Sequence, residues 1–111
     1  CRTRAEDPAM GWRIAITEQA YHDLEAAVAF LAAKSPAAAE RLGLGLVDSI
    51  FRLADFPFHG MAVQARLGYR RVLHRPWHLI FYRVDEATQT VEVVRIWDGR
   101  RNPADLNLVS P

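Results

Sequence analysis

Three arginines, Arg71, Arg83 and Arg95, fall in three separate apolar runs in the second half of the chain, and Arg100 and Arg101 follow directly behind the last of them. A guanidinium is planar, permanently charged and shaped to take a phosphate or a carboxylate in two parallel hydrogen bonds. If the three runs are strands of matching phase, these side chains converge on one face and invite an anionic partner. The alternative is a solvated sheet face whose arginines pair with carboxylates on neighbouring strands. The groups able to carry protons nearby are His74, His78, Tyr82 and Asp98. Histidine is the side chain most easily poised near neutral pH. His74 and His78 flank Arg75-Pro76, however, which reads as a hairpin bend where an imidazole is expected to be solvated. Asp98 is expected to pair with Arg100 or Arg101, and Tyr82 and Trp97 to pack in the core or at its edge. His22 and His59 stand isolated, and no paired His/Asp spacing on a helix or loop predicts a metal site.

The charge distribution points to the same half of the molecule. Residues 1–65 carry a net charge of −2 and residues 66–101 a net charge of +4, within an overall +1. Every basic residue but Lys34 is arginine. With 111 residues, half of them apolar, the chain is expected to form one domain with a real core and no large internal cavity. Any site should then lie on a face or in a shallow groove. The lone Cys1 forms no intramolecular disulfide and supports no Cys-based zinc site, a usage that suits the cytoplasm. The longest apolar stretch, Ala26 to Ala33, falls far short of the ~20 residues that span a bilayer. Residues 1–9 are polar and read as an expression scar or a disordered leader before Met10, with residues 10–111 as the single domain.

The elements that must position these groups are legible in outline. Gly11 to Thr17 alternates Trp12, Ile14 and Ile16 with Arg13 and Ala15 and predicts a short strand. Thr17 then caps a helix, with Glu18 in its first turn and Tyr21, Leu24, Val28 and Leu31 on its apolar stripe. Ser35-Pro36 starts a second helix at once, with Leu42, Leu46, Ile50 and Leu53 on its stripe. Gly43 and Gly45 each cost roughly 1 kcal/mol against Ala in a helix interior, which predicts close approach of the first helix there. Phe56 to Gly60 ends the helical hairpin. Val63 to His74 predicts one long strand, bulged at Gly68, followed by Trp77 to Val84 and Val91 to Trp97 with a polar turn between them. The order is β-α-α-β-β-β, an α+β domain with a helical hairpin packed on a small, mostly antiparallel twisted sheet.

Beyond the last strand the chain reads Asp98-Gly99-Arg100-Arg101-Asn102-Pro103. Together with "GYRRVLHRPWHLIFYRVDE" and "VEVVRIWDGRRNPADL", this makes residues 12–106 resemble the RelE/ParE toxin superfamily of type II toxin–antitoxin systems. The most specific pieces are Phe81-Tyr82-Arg83-Val84-Asp85 and the last strand running into Gly-Arg-Arg-Asn-Pro. Relatives often read His-Gly-Arg-Arg-Asp-Pro there, so Asp98 stands where a His is usual and Asn102 where an Asp is usual. The resemblance implies a toxin neutralised by a cognate antitoxin, which itself carries any contact with operator DNA. RelE-like members cut messenger RNA on the ribosome, whereas ParE-like members inhibit DNA gyrase. Cutting RNA through its 2′-OH needs a base, an acid and cations on the phosphate. Arg71, Arg83 and Arg95 supply cations, and His74, His78 and Asp98 are the available proton carriers. The sheet lacks the lysine, and the tail the Tyr or His, that RelE-like sites commonly use. Stacking of Tyr82 or Trp97 on a base is the remaining nucleic-acid option. The resemblance therefore favours a ParE-like gyrase inhibitor without cofactor, binding through Arg71, Arg83, Arg95, Asp98, Arg100 and Arg101. The alternative is a RelE-like nuclease acting on the ribosome and its messenger RNA. The exposed side of the helical hairpin and the sheet edge are expected to accept an amphipathic helix or an added strand of the antitoxin.

Overall fold

Thr17 and Ser35 cap the two helices at the positions their side chains predict. The Thr17 hydroxyl accepts from the Ala20 N–H at 3.1 Å and the Ser35 hydroxyl from the Ala38 N–H at 3.2 Å. Each bond satisfies a donor that the first helical turn cannot. The computed structural model describes residues 12–63, 68–75 and 77–100. Residues 1–9, expected to form a leader, lie outside them. The elements are β1 (Arg13–Ile16), α1 (Glu18–Ala32), α2 (Pro36–Arg52), β2 (Met61–Ala62), β3 (Tyr69–His74), β4 (His78–Asp85) and β5 (Thr90–Asp98). They form one five-stranded sheet in the order β1-β5-β4-β3-β2. Strand β1 runs parallel to β5, and all other neighbours are antiparallel. The fold is α+β, two helices packed on one face of a mixed, twisted sheet.

The run from Val63 to His74 is not one bulged strand. It is a reversal: β2 turns back on β3 with Met61 opposite Arg71, and the Val63 N–H donates to the Tyr69 carbonyl at 2.9 Å. Gly68 has φ +85° with open space around it, so its lack of a side chain serves the backbone conformation alone. The last strand also departs from simple alternation. A register shift between Phe81 and Tyr82 pairs them with Arg95 and Val93, so Val94 is the extra residue of a bulge. Without it Ile96 would face away from the helices.

The main core lies between α2 and the centre of the sheet. Leu46, Ile50 and Leu53 cover Ile80 and Tyr82 of β4 and Val91, Val93 and Ile96 of β5. Fully burying each such aliphatic side chain contributes roughly 1.5–3 kcal/mol. On α1 the buried residue is Ala20, while Tyr21, expected on the stripe, is 55% exposed. The first turn of α1 is pinned to β5, the Thr17 N–H donating to the Val93 carbonyl at 3.0 Å and its hydroxyl to that of Val94 at 3.2 Å. At that proximity only a methyl fits. A smaller cluster of Tyr69, Phe81, Val94 and Trp97 occupies the opposite face.

Candidate functional site

Sheet register decides which charged side chains meet. On the face away from the helices, Met61, Arg71, Phe81 and Arg95 form one cross-strand row, and Tyr69, Arg83 and Glu92 form the next. The three strand arginines thus share a face by register, as matching phase predicts, but their partners differ. Arg83 donates to Glu92 directly opposite, from Nε at 3.2 Å and from Nη2 at 2.8 Å. Arg95 reaches round the sheet edge to α1, its Nε 2.7 Å from Asp23 Oδ2 and its Nη2 3.3 Å from Oδ1. Its guanidinium also lies 5.3 Å from the Trp97 ring centroid. The Asp23 carboxylate accepts the Ile96 N–H at 3.1 Å as well. Because β1 pairs with β5 only up to Val93, Asp23 closes the stretch of β5 edge that β1 does not reach. Arg71 is exposed and makes no ion pair among the described residues.

The helix-facing side carries the other half of the chemistry. His74, His78 and Asp98 form one row at the end of β3, β4 and β5. The two histidines are therefore not solvated turn residues. His78 is 9% exposed and its Nδ1 has no hydrogen-bond partner among the described residues. His74 Nδ1 lies 3.0 Å from Ser49 Oγ of α2. A Cβ on Gly45 would stand 2.9 Å from His74 Cε1, so Gly45 admits this ring, whereas Gly43 does meet α1, at Val28. Burial pushes both imidazoles below their ordinary pKa; for His78 the Asp98 charge opposes this, and His74 and Arg100 add to it. Asp98 accepts from Arg100 Nε at 3.0 Å, Nη2 at 2.7 Å and the backbone N–H at 2.9 Å. The side-chain hydrogen bonds from Arg100 are the first cause that holds its carboxyl at about 2. The Arg100 guanidinium rests 3.9 Å from the Trp77 ring centroid. Between this end of the sheet and α1 runs a groove of about 570 Å³, walled by Ala27, Phe30, Leu31 and Trp77, with His78 and Asp98 in its lining.

The sheet itself separates the two sets. Arg71 and Arg83 project from one face, and His74, His78 and Asp98 from the other. Tyr82, also on the helix side, is fully buried, and its hydroxyl accepts the Gly60 N–H at 2.8 Å. Burial pushes its phenol up, against the opposing pull of that bond and of Arg70. Among the described residues, no proton carrier of the predicted set stands beside an exposed, unpaired cation. Arg101 lies outside the described residues. Sequence reasoning missed Asp23, Glu92 and Ser49, each of which fixes one of the predicted groups.

A family model described as the ParE toxin of the parDE type II toxin–antitoxin system matches residues 14–103. No curated protein matches the chain. Similar solved structures include the chromosomal ParDE toxin–antitoxin system of P. aeruginosa, with 19% identity and a TM-score of 0.67, covering 78% of this chain and 95% of that one. The RelBE2 toxin–antitoxin complex of Mycobacterium tuberculosis gives 23% identity and 0.59 over the same shares, 78% and 95%. A mutant of the E. coli toxin RelE in its free state gives 12% and 0.54, over 78% of this chain and 82% of that one. At these identities the structures establish the shared fold, and the family model, which spans most of the sequence, establishes membership. The chain belongs to the ParE toxin family of type II toxin–antitoxin systems.

Proposed function

We propose that this toxin acts in the cytoplasm as a non-enzymatic inhibitor of DNA gyrase and is neutralised by a cognate antitoxin. The observation that carries the reading is the separation of Arg71 and Arg83 from its proton carriers. Arg71 and Arg83 face one way, while the histidines and Asp98 are packed or locked on the other side of the sheet. A 2′-OH cleavage site needs both sets within hydrogen-bond reach of one phosphate. An inhibitor needs only a complementary surface. In this reading Arg71, Arg83, Arg100 and Arg101 contact the target. Arg95 and Asp98, held by Asp23 and Arg100, keep the sheet edge and its tail in shape for that contact.

The test is supercoiling by purified gyrase with added toxin, run beside a translation reaction monitored for cut messenger RNA. Inhibited supercoiling, accumulating cleaved-DNA complexes and intact messages are the expected result. Messages cut only when ribosomes are present, with gyrase unaffected, would overturn it. Inhibition should weaken in steps of about threefold to tenfold as Arg71 and Arg100 are replaced by Ala, since each removes one contact from a distributed surface. Abrupt loss from a single replacement with binding retained is the signature of an enzyme.

A further inference from the structure

Among the described residues, the corner of the sheet where β2 meets β3 combines an open edge, apolar side chains and a cation with no acid paired to it. Strand β2 is terminal in the sheet. Since Val63 and Met61 take the hydrogen-bonded positions opposite Tyr69 and Arg71, the N–H and carbonyl of Ala62 point away from β3. On the adjoining outer face, Met61 is 64% and Leu73 53% exposed. They flank Arg71 and, with Leu79 and His59, border a depression of about 380 Å³ whose described lining contains no carboxylate. Of the arginines on this face, Arg83 and Arg95 are each matched to an acid, and Arg71 is not matched among the described residues.

We infer that this corner docks an extended, acidic segment of the protein that the toxin inhibits, added to β2 as a further strand. Such a segment takes the outward backbone groups of Ala62, lays alternate apolar side chains on Met61 and Leu73, and sets a carboxylate on Arg71. The charge selects against a second copy and against nucleic acid, and the effect of Arg71→Ala and Ala62→Pro on gyrase inhibition separates the target from the antitoxin, the other partner expected at a sheet edge. Two copies pairing through this edge would bring two Arg71 side chains together on one face. A nucleic-acid strand needs a track of several unpaired cations, and among the described residues lining this depression Arg71 is the one arginine, beside aliphatic groups. The inference rests on the proposed gyrase reading for the identity of the partner, and on the geometry alone for its chemistry.

The probe is a ten-residue peptide of alternating Val and Glu, with its Val and Lys counterpart as control, titrated into the toxin and followed by amide NMR shifts. The acidic peptide is expected to perturb residues 59–63 and 69–73 and to bind at least tenfold tighter than the basic one. Arg71→Ala should weaken it about tenfold, the loss of one charge-assisted contact. Ala62→Pro should do the same by removing the outward N–H, and a dispersed spectrum shows that the fold survives, because that N–H bonds nothing in β3. Both variants should raise the toxin concentration needed for half-inhibition of gyrase by a similar factor. Equal binding of the two peptides, or full binding by Arg71→Ala, overturns the docking surface. If such a protein still inhibits gyrase, the functional reading stands without it. Binding of the acidic peptide by a toxin that leaves gyrase untouched overturns the assignment to the target protein.

Discussion

Asp23 sits 72 residues from Arg95 in sequence, and the pair is withdrawn from water, with side chains 11% and 14% exposed. The same carboxylate takes the Ile96 N–H, so its loss breaks the ion pair and that backbone hydrogen bond together. Breaking a pair in this setting costs about 3 kcal/mol or more. Arg83 and Glu92, 40% and 32% exposed, are screened by solvent and are worth less than about 1 kcal/mol. Urea denaturation at neutral pH should therefore show a large midpoint shift for Asp23→Ala and a small one for Glu92→Ala. Equal shifts would remove Asp23 from its role in closing the sheet edge. The two partners also differ in how far they could be foreseen. Arg83 and Glu92 stand equally far from the turn between Asp85 and Thr90, so locating that turn gives the pair. Nothing local links Asp23 to Arg95; that contact exists only once α1 crosses the end of β5.

The helices and strands differ in the same way. Both helix starts were legible because a cap and its N–H lie three residues apart and need no tertiary information. The β2–β3 reversal was not, because VQARLGYRR carries the same alternation of apolar with polar or cationic residues whether the chain continues or folds back. The histidines were misplaced for a related reason: Arg75-Pro76 marks the bend, but only α2 lying across β3 reveals that His74 is covered. That contact is close enough to test. Ala at position 45 is favoured by roughly 1 kcal/mol in a helix, yet its methyl would meet the His74 ring at 2.9 Å. Gly45→Ala is expected to destabilise the native protein by about 1 kcal/mol through this overpacking, and to stabilise it in a His74→Ala background. A double-mutant cycle by thermal or urea denaturation reads the change of sign. The same sign in both backgrounds would mean that α2 does not rest on the imidazole.

At the scale of the whole molecule these buried groups make stability depend on pH in two separate windows. His74 and His78 titrate in the folded protein below their ordinary 6.5. As pH falls the unfolded chain takes up their protons first, so the stability held above pH 6.5 is lost below it. Asp98 titrates at about 2 in place of 3.8, and its solvent-screened contribution is present above pH 3.8 and disappears towards pH 2. Melting temperature should be level from pH 8.5 to 7 and fall between pH 6.5 and 5. His78→Leu should flatten that fall, and Asp98→Asn should lower the curve above about pH 4 and rejoin that of the parent protein towards pH 2. An unchanged slope in His78→Leu would place the acid sensitivity elsewhere. The parallel pairing of β1 with β5 has a consequence of another kind, in time. Thr17 bonds a carbonyl 77 residues further along the chain. At roughly 5–20 residues per second, a ribosome makes β1 about 4–15 s before its partner exists. When α2 is complete the nascent chain holds a helical hairpin with no sheet beneath it, and β1 stays unpaired until β5 is made.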